Sequence, residues 1–147
     1  MKTLWDVAIR VSIITRLNEL DSQKQAMWGQ FNCQSMLAHL ADSLKIPLGQ
    51  LAVESKYLPL RYWPIKQLVI YWLPFPKNAP TAPELIARTG ESIEIERQAI
   101  IRLINQLAER KGQQNWPEHP AFGRLKGATW GVQIYRHIDH HLKQFGV

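Results

Sequence analysis

The amino-acid sequence predicts an all-α fold, a four-helix bundle with a long connection between its second and third helices. Apolar residues recur at spacings of three and four in four separate stretches, which is the period of an amphipathic helix. No stretch shows the alternation of apolar and polar residues that is typical of a half-buried strand. The 147 residues match the size of one ordinary domain, so we predict a single domain over residues 1–147.

The first two predicted helices lie in the N-terminal third of the chain. The first extends over about residues 5–20, and its apolar stripe is formed by Ile9, Ile13, Leu17 and Leu20. The second extends over about residues 33–44. Asn32 precedes it and is suited to cap its N-terminus, because the side-chain oxygen can accept from a free backbone N–H. Pro47 and Gly49 then act as stop signals.

The third predicted helix is the longest and extends from about Pro83 to Lys111. Pro83 suits the first turn of a helix, and Gly112 suits a C-terminal cap. The apolar stripe of this helix consists of Ile93, Ile100, Ile104 and Leu107. The fourth predicted helix extends over about residues 128–145. Four helices with a long crossover between the second and third favour a bundle.

The connection over residues 50–82 is rich in aromatic residues and proline. Its prolines exclude one long helix, so we predict only a short helix from Ile65 to Trp72. A loop of this length usually covers a site or forms an interface. Its most apolar stretch, Tyr57–Phe75, is interrupted by Arg61 and Lys66, so we expect no membrane span.

Composition and charge limit the classes of function. Hydrophobic residues make up 46% of the chain and charged residues 20%, which is typical of a globular protein. The net charge is +6, but the 18 basic residues are scattered and form no stripe, so we do not expect a nucleic-acid partner. The single cysteine, Cys33, fits a reducing compartment, and no secretory signal is evident. We therefore expect a cytoplasmic protein with an inert, buried thiol.

Three of the five histidines lie in the fourth predicted helix. Because a helix advances by about 100° per residue, His137 and His141 lie about 40° apart, at the border of the apolar face. His140 falls about 60° away on the other side, toward the polar face. Two imidazoles at this spacing can bind one metal ion. The glutamate of the HExxH motif is absent, so a metalloprotease is not predicted.

His39 occupies a similar position at the margin of the apolar stripe of the second helix. Imidazoles from facing helices can build a metal site inside a bundle. A single histidine at such a margin is more often a hydrogen-bonded core residue, so this alternative stays open for His39. Three protein ligands leave open coordination positions, as catalytic metal sites do. His119 and His140 are most simply surface or loop residues.

Three further residues are candidates for orienting the ligands. Asp42 lies one turn after His39, although exposure on the helix surface is the simpler interpretation. Gln144 lies about 20° from His137 on the same helical face. His140 is the third candidate, because it adjoins the histidine pair.

Several motifs resemble the DinB-like (DinB/YfiT-like) superfamily of metal-binding helical bundles. They are WGQFNCQSMLAH at residues 28–39, HPAFG at 119–123, Trp130-Gly131, the His-x-x-x-His-x-x-Gln pattern at 137–144 and the ending HHLKQFGV. The resemblance covers nearly the whole chain. It implies a four-helix bundle in an up-down-down-up order, with a metal triad of His39, His137 and His141.

The resemblance also implies a function. Better-known members are transferases and isomerases that use low-molecular-weight thiols, often with zinc or nickel, and many members form dimers. A divalent metal ion, an activity like that of a thiol S-transferase and a homodimer are therefore implied, although no motif identifies a thiol pocket. The alternative is a non-catalytic metal-binding or structural bundle, whose aromatic connection forms a dimer or partner interface.

Overall fold

A computed structural model describes all 147 residues and is all-helical, as predicted, with no strands. The five α-helices are α1 (Val7–Asn18), α2 (Cys33–Lys45), α3 (Ile65–Gln67), α4 (Ile93–Glu109) and α5 (Gly127–Gln144). A π-helical turn over Leu68–Trp72 continues α3, and short 3₁₀ turns cover Pro59–Arg61 and Pro83–Leu85. No helix combines the length and apolar character that crossing a membrane requires.

The helix α2 begins where its N-cap predicts. The Asn32 side chain accepts a hydrogen bond from the backbone N–H of Ser35 at 2.8 Å, and the Ser35 hydroxyl accepts from the N–H of Asn32 at 3.1 Å. This reciprocal capping satisfies two backbone donors that the helix leaves free. It fixes the start of α2. The side of the helix on which the His39 side chain lies, two turns after Asn32, is thereby fixed as well.

The third predicted helix is wrong in its N-terminal part. Only residues 83–85 form a 3₁₀ turn, and α4 begins later, behind Ser92, whose hydroxyl accepts from the Ile95 N–H at 3.2 Å. Gly90 has a φ of +86°, a left-handed conformation that a continuous helix excludes. At the other end the cap is Arg110, and not the predicted Gly112. The residues before Ser92 are therefore free to reach α2.

A connected core of 26 buried apolar residues lies between the long helices. The helix α2 packs along α4, α1 contacts both α4 and α5, and α2 also contacts α5. Trp130 and Phe145 are the largest fully buried side chains, and both belong to the C-terminal region of the chain. The contact between α2 and α5 brings together the two helices that carry the predicted ligands.

The predicted short helix over Ile65–Trp72 is present, formed by α3 and the π-helical turn. Arg136 of α5 anchors it by donating to the main-chain carbonyl oxygens of Val69, Ile70 and Leu73. Ile70, a residue of this turn, is fully buried. The aromatic connection is thus tied to the helix that carries two of the three candidate ligands.

Candidate metal centre

Three imidazoles converge where α2 meets α5. The Nε2 atom of His137 lies 3.1 Å from Nε2 of His39 and 3.2 Å from Nε2 of His141. One ligand atom from each of the three residues lies within 4.8 Å of those of the other two. His39 and His141 are buried, at 4% and 7% exposure. The three predicted ligands therefore form one group with the geometry to hold a metal ion.

In two of these imidazoles the other ring nitrogen, Nδ1, makes a hydrogen bond within the protein. His39 Nδ1 lies 3.2 Å from the carbonyl oxygen of Leu85, and His141 Nδ1 lies 2.8 Å from Oε1 of Gln144. Both partners are acceptors, so each Nδ1 carries the proton and donates it. The Gln144 amide is oriented by its Nε2, which donates to the carbonyl oxygen of Trp28 at 2.6 Å.

This assignment turns the Nε2 lone pairs of His39 and His141 toward His137. If neutral, His137 can donate from its Nε2 to only one of them, so at least one pair of facing lone pairs has no proton between them. A cation at the centre removes this repulsion. Nitrogens at tetrahedral corners about 2.05 Å from zinc are about 3.3 Å apart, close to the two distances observed. The donor set therefore fits a divalent metal ion.

Burial keeps all three imidazoles neutral. Desolvation, and after it the repulsion from His39, lowers the pKa of His141 to about 3. Desolvation is also the main cause that lowers the pKa of His39 and, more strongly, that of His137, where repulsion from His141 follows. Neutral imidazole is the form that binds metals, so protons compete little at neutral pH.

Phe31 packs against two of the three imidazoles. Its ring stacks on that of His39, with the centroids 5.2 Å apart, and meets that of His141 edge-on at 5.8 Å. Phe31 directly precedes the Asn32 cap, so the capping that starts α2 also places this ring. The contact restricts the rotamers of both histidines, so less side-chain entropy is lost when they bind a metal ion.

Asp42 does not take the surface position that its place in the helix suggested. It is 5% exposed and pairs with Arg88 and Lys45, at 2.8 and 2.7 Å, and it makes no hydrogen bond to a histidine. Burial raises the pKa of this carboxyl, but the hydrogen bonds from Arg88 and Lys45 outweigh it and lower the pKa. Asp42 acts on His39 only through its charge, which raises the imidazole pKa.

The other two histidines, His119 and His140, are partly buried and pack against aromatic rings. His140 is half-buried, with its ring centroid 5.2 Å from that of His141 and 5.8 Å from that of Trp28, and it makes no hydrogen bond to the triad. His119 lies between Phe122 and Trp130, at centroid distances of 4.8 and 5.2 Å. His119 lies in a loop, one of the two placements predicted for it, and this loop brings its ring against Trp130 of α5.

A cavity of about 1000 Å³ opens beside the triad. All five histidines line it, together with apolar side chains that include Phe31, Val69, Leu85, Phe122 and Ile134. Residues from the aromatic connection form part of its wall, in agreement with the prediction that such a loop covers a site. A small molecule could therefore reach the triad within a largely apolar enclosure.

Cys33 is buried at the start of α2, as expected from the predicted apolar face. Burial raises the pKa of its thiol, and Asp21 raises it further. A thiol in such surroundings stays protonated and is a weak nucleophile.

Sequence reasoning missed several groups at the site. The Leu85 carbonyl that orients His39 is a main-chain atom, which leaves no signature in the sequence. Phe31 and His119 stand in the motifs of residues 28–39 and 119–123, but their contacts depend on loops whose course the sequence does not reveal. Gln133, one turn before His137 on the same helical side, could have been found by the same geometry that found Gln144.

Comparisons with protein-family models, with curated proteins and with solved structures find no match for this chain.

Proposed function

We propose that this chain binds one divalent metal ion through His39, His137 and His141, and that the ion is zinc or nickel. The observation that carries the proposal is the convergence of three Nε2 atoms, two of them with Nδ1 held by an acceptor. Imidazole suits both metals, and such outer hydrogen bonds usually accompany metal-binding histidines.

We further propose the DinB-like arrangement, with α1, α2, α4 and α5 as an up-down-down-up bundle. The contacts of α2 with α4 and α5, and of α1 with the same two helices, support it. So does the placement of the ligands, one on the second long helix and two on the last. The motifs at residues 28–39 and 137–144 supply both sets of ligands in this proposal.

The proposed activity is transfer chemistry on a low-molecular-weight thiol, like that of a thiol S-transferase. Three protein ligands leave a coordination position for an exogenous group. A divalent ion at such a site supplies Lewis acidity, which lowers the pKa of a bound thiol and favours the thiolate nucleophile. The chain contributes neutral imidazoles fixed in orientation, and a cavity that shields the sulfur from water.

Elemental analysis of protein purified without a histidine tag tests the metal site. We expect about one equivalent of metal in the parent and none in the His137→Ala/His141→Ala double variant. His140→Ala is the matched control, since it removes a half-buried imidazole of the same helix that does not converge with the others. Equal metal content in the parent and the double variant would refute the site.

A separate measurement tests the thiol chemistry. The metal-loaded protein is titrated with low-molecular-weight thiols and assayed for conjugation to an electrophile, with the metal-free protein as the control. We expect binding and conjugation only with the metal present. If the loaded protein neither binds nor conjugates any thiol, the transferase proposal fails while the metal site stands.

A second candidate function is binding to a partner, most simply a second copy of this chain. The aromatic connection carries a cluster of large exposed apolar side chains, named here the outer patch: Tyr57, Leu58, Tyr62, Trp63, Ile65, Leu68, Trp72 and Leu73. Trp63 and Trp72 are 79% and 77% exposed. Such a concentration of large exposed apolar side chains in one segment favours an interaction site.

Sedimentation velocity tests the outer patch. We expect the parent to sediment as a dimer and the Trp63→Ser/Trp72→Ser variant to sediment as a monomer with unchanged metal content. Val7→Ser/Val11→Ser is the matched control, because both valines are exposed on α1 outside the patch. A parent that stays monomeric at high micromolar concentration would exclude the homodimer.

A further inference from the structure

Two donors in the cavity wall have no acceptor within the protein. The side chain of Trp130 is only 1% exposed, and its indole Nε1–H is buried without a hydrogen-bond partner. Gln133 is 7% exposed, lines the same cavity and makes no side-chain hydrogen bond. Buried polar groups are nearly always paired, because an unpaired donor loses its water without compensation. The Trp130 indole N–H is such an unpaired donor, and the Gln133 amide beside it has no partner in the protein and can pair with a ligand in the cavity.

His119 supplies a third donor. Its Nδ1 accepts hydrogen bonds from the backbone N–H groups of Ala121 and Phe122, at 3.1 and 3.2 Å. The single proton of the neutral ring must then be on Nε2, which has no acceptor in the protein. Burial, and after it the charge of Arg61, lowers the pKa of His119 to about 3. The ring is accordingly a neutral N–H donor at physiological pH.

The three donors lie together beside the triad. Gln133 precedes His137 by one turn of α5 and Trp130 precedes it by two, so both share its side of the helix. The His119 ring lies against Trp130, with their centroids 5.2 Å apart. The cluster of His119, Trp130 and Gln133, named here the donor subsite, thus lies one to two helical turns from the triad.

A positively charged side chain, that of Arg61, acts on His119 of the donor subsite. The Arg61 guanidinium packs over Gly123, where an added Cβ would lie 3.0 Å from Nη2, and Gly123 is paired with His119 through two backbone hydrogen bonds. Arg61 Nη2 binds Glu118 at 2.8 Å, but Nη1 is buried without a partner. Because Glu118 is shared with Arg124, one carboxylate faces two guanidinium groups, and the remaining positive charge favours an anion over a neutral acceptor.

We propose that His119, Trp130 and Gln133 bind the carboxylate, or a comparable anionic oxygen group, of a small molecule whose other end reaches the histidine triad. N–H donors around a carboxylate form strong, charge-assisted hydrogen bonds. The proposal rests on the proposed function for the metal beside the subsite, but the subsite itself consists of groups that bind no metal. It names the substrate class as a small anionic molecule, and it assigns a role to His119 and Gln133.

The test compares 3-mercaptopropionate with 1-propanethiol, which share a thiol and three carbons and differ in the carboxylate. Calorimetric titration of the zinc-loaded protein gives both affinities. We expect 3-mercaptopropionate to bind at least about tenfold more tightly, the size of effect that one charged hydrogen bond supplies. Gln133→Leu and His119→Asn should each reduce the preference for 3-mercaptopropionate. Gln106→Leu, which replaces an exposed glutamine of α4, should leave the preference unchanged. The asparagine keeps an acceptor near the position of Nδ1 while removing the Nε2 donor.

A second readout separates the subsite from the thiol chemistry. Propionate, which has no thiol, is titrated into the zinc-loaded protein, and the indole N–H signals are followed by ¹⁵N–¹H correlation spectra. The Trp130 signal, assigned through Trp130→Phe, should move with propionate in the parent and not in Gln133→Leu. Such a shift supports the subsite even if neither thiol binds, in which case only the transferase proposal fails. If propionate leaves the signal in place, and the two thiols either bind equally or do not bind, the subsite is refuted although metal binding stands.

Discussion

The imidazole Nδ1–H of His141 donates a 2.8 Å hydrogen bond to the amide oxygen of Gln144, one turn further along α5. The same amide donates from Nε2 to the carbonyl oxygen of Trp28 at 2.6 Å. Gln144 thus links one candidate ligand to the loop that precedes α2. An acceptor at the outer nitrogen fixes the tautomer of a metal-binding histidine and raises its basicity.

Replacing Gln144 with leucine should therefore weaken metal binding without removing a ligand. We expect the affinity for zinc to fall by about 10- to 100-fold, the usual cost of losing such an outer partner. Competition with a chromogenic chelator measures the change. Gln106→Leu, on the exposed side of α4, is the matched control. An unchanged affinity in Gln144→Leu would show that the hydrogen bond to His141 has no part in metal binding.

The metal-free protein should lose stability between pH 7.5 and 5.5. The pKa of His119 and of His141 is lowered from 6.5 to about 3 in the folded state. Below pH 6.5 the unfolded chain therefore binds protons that the folded chain does not, so the free energy of unfolding falls as the pH falls. Each histidine contributes a slope of up to about 1.4 kcal/mol per pH unit, so the two together cost roughly 2–3 kcal/mol at pH 5.5.

Urea unfolding at the two pH values, with and without zinc, measures this effect. The buried carboxyls of Asp42 and Glu96 have lowered pKa values and titrate below this interval, so they do not obscure it. Zinc should add stability that is greatest at pH 7.5, because protons compete for the imidazoles below it. A free energy of unfolding that stays constant for the metal-free protein would contradict the neutral state of these histidines.

Local signals predicted the parts of the molecule that local chemistry determines. The Asn32 cap fixed the start of α2, and the spacing of His137 and His141 placed both on one side of α5, because helical geometry is a property of the chain itself. The meeting of His39 with that pair depends on how α2 packs against α5. It was predicted from the positions of the histidines at apolar margins and from the resemblance.

The part of the fold that the sequence mispredicted is determined by contacts between residues distant in sequence. The segment from Pro83 to Glu91 was predicted as helix, but Arg88 binds carboxylates of α2 and α4, and Gln34 donates to the carbonyl of Gly90 at 3.0 Å. These partners are distant in sequence, so they overrode a local preference for helix. The contact of His119 with Trp130 was not predicted for the same reason, since only the folded loop brings the two rings together.

Replacing Arg88 with methionine should destabilise the protein. Arg88 donates to Asp42 at 2.8 Å and to Oε2 of Glu96 at 2.9 Å, and the two carboxyl side chains are only 7% and 3% exposed. We expect the free energy of unfolding to fall by about 2–3 kcal/mol, less than for a fully buried pair because the Arg88 side chain is 36% exposed. Chemical denaturation measures it. Arg102→Met, at an exposed arginine of α4, should change it little.

Arg88 also holds the segment that carries the Leu85 carbonyl, the acceptor for His39. The Arg88→Met variant should therefore bind zinc more weakly even under conditions where it is fully folded. Chelator competition at low temperature, with folding verified by circular dichroism, separates this effect from the loss of stability. A destabilised variant with unchanged zinc affinity would show that the segment is held in place by other contacts.

Two glycines with similar backbone conformations allow a second test of Gln144, in which a neighbouring residue is changed and Gln144 itself is kept. Gly29 and Gly146 have φ values of +81° and +73°, so alanine at either position costs about 1 kcal/mol of conformational strain. An added Cβ would lie 2.6 Å from Nε2 of Gln144 at Gly29, whereas nothing lies within 4 Å at Gly146. Both variants should therefore lose similar conformational stability, and only Gly29→Ala should displace the amide that orients His141. We expect zinc affinity to fall by about tenfold or more in Gly29→Ala and to stay unchanged in Gly146→Ala.

A double-mutant cycle with Gln144→Leu tests whether Gly29 acts through Gln144. Gly29→Ala displaces the Gln144 amide and Gln144→Leu removes it, so both variants affect the same hydrogen bond to His141. Gly29→Ala should therefore add little to the loss of zinc affinity in Gln144→Leu. Fully additive losses would mean that Gly29 acts on the metal centre by a route that does not include Gln144.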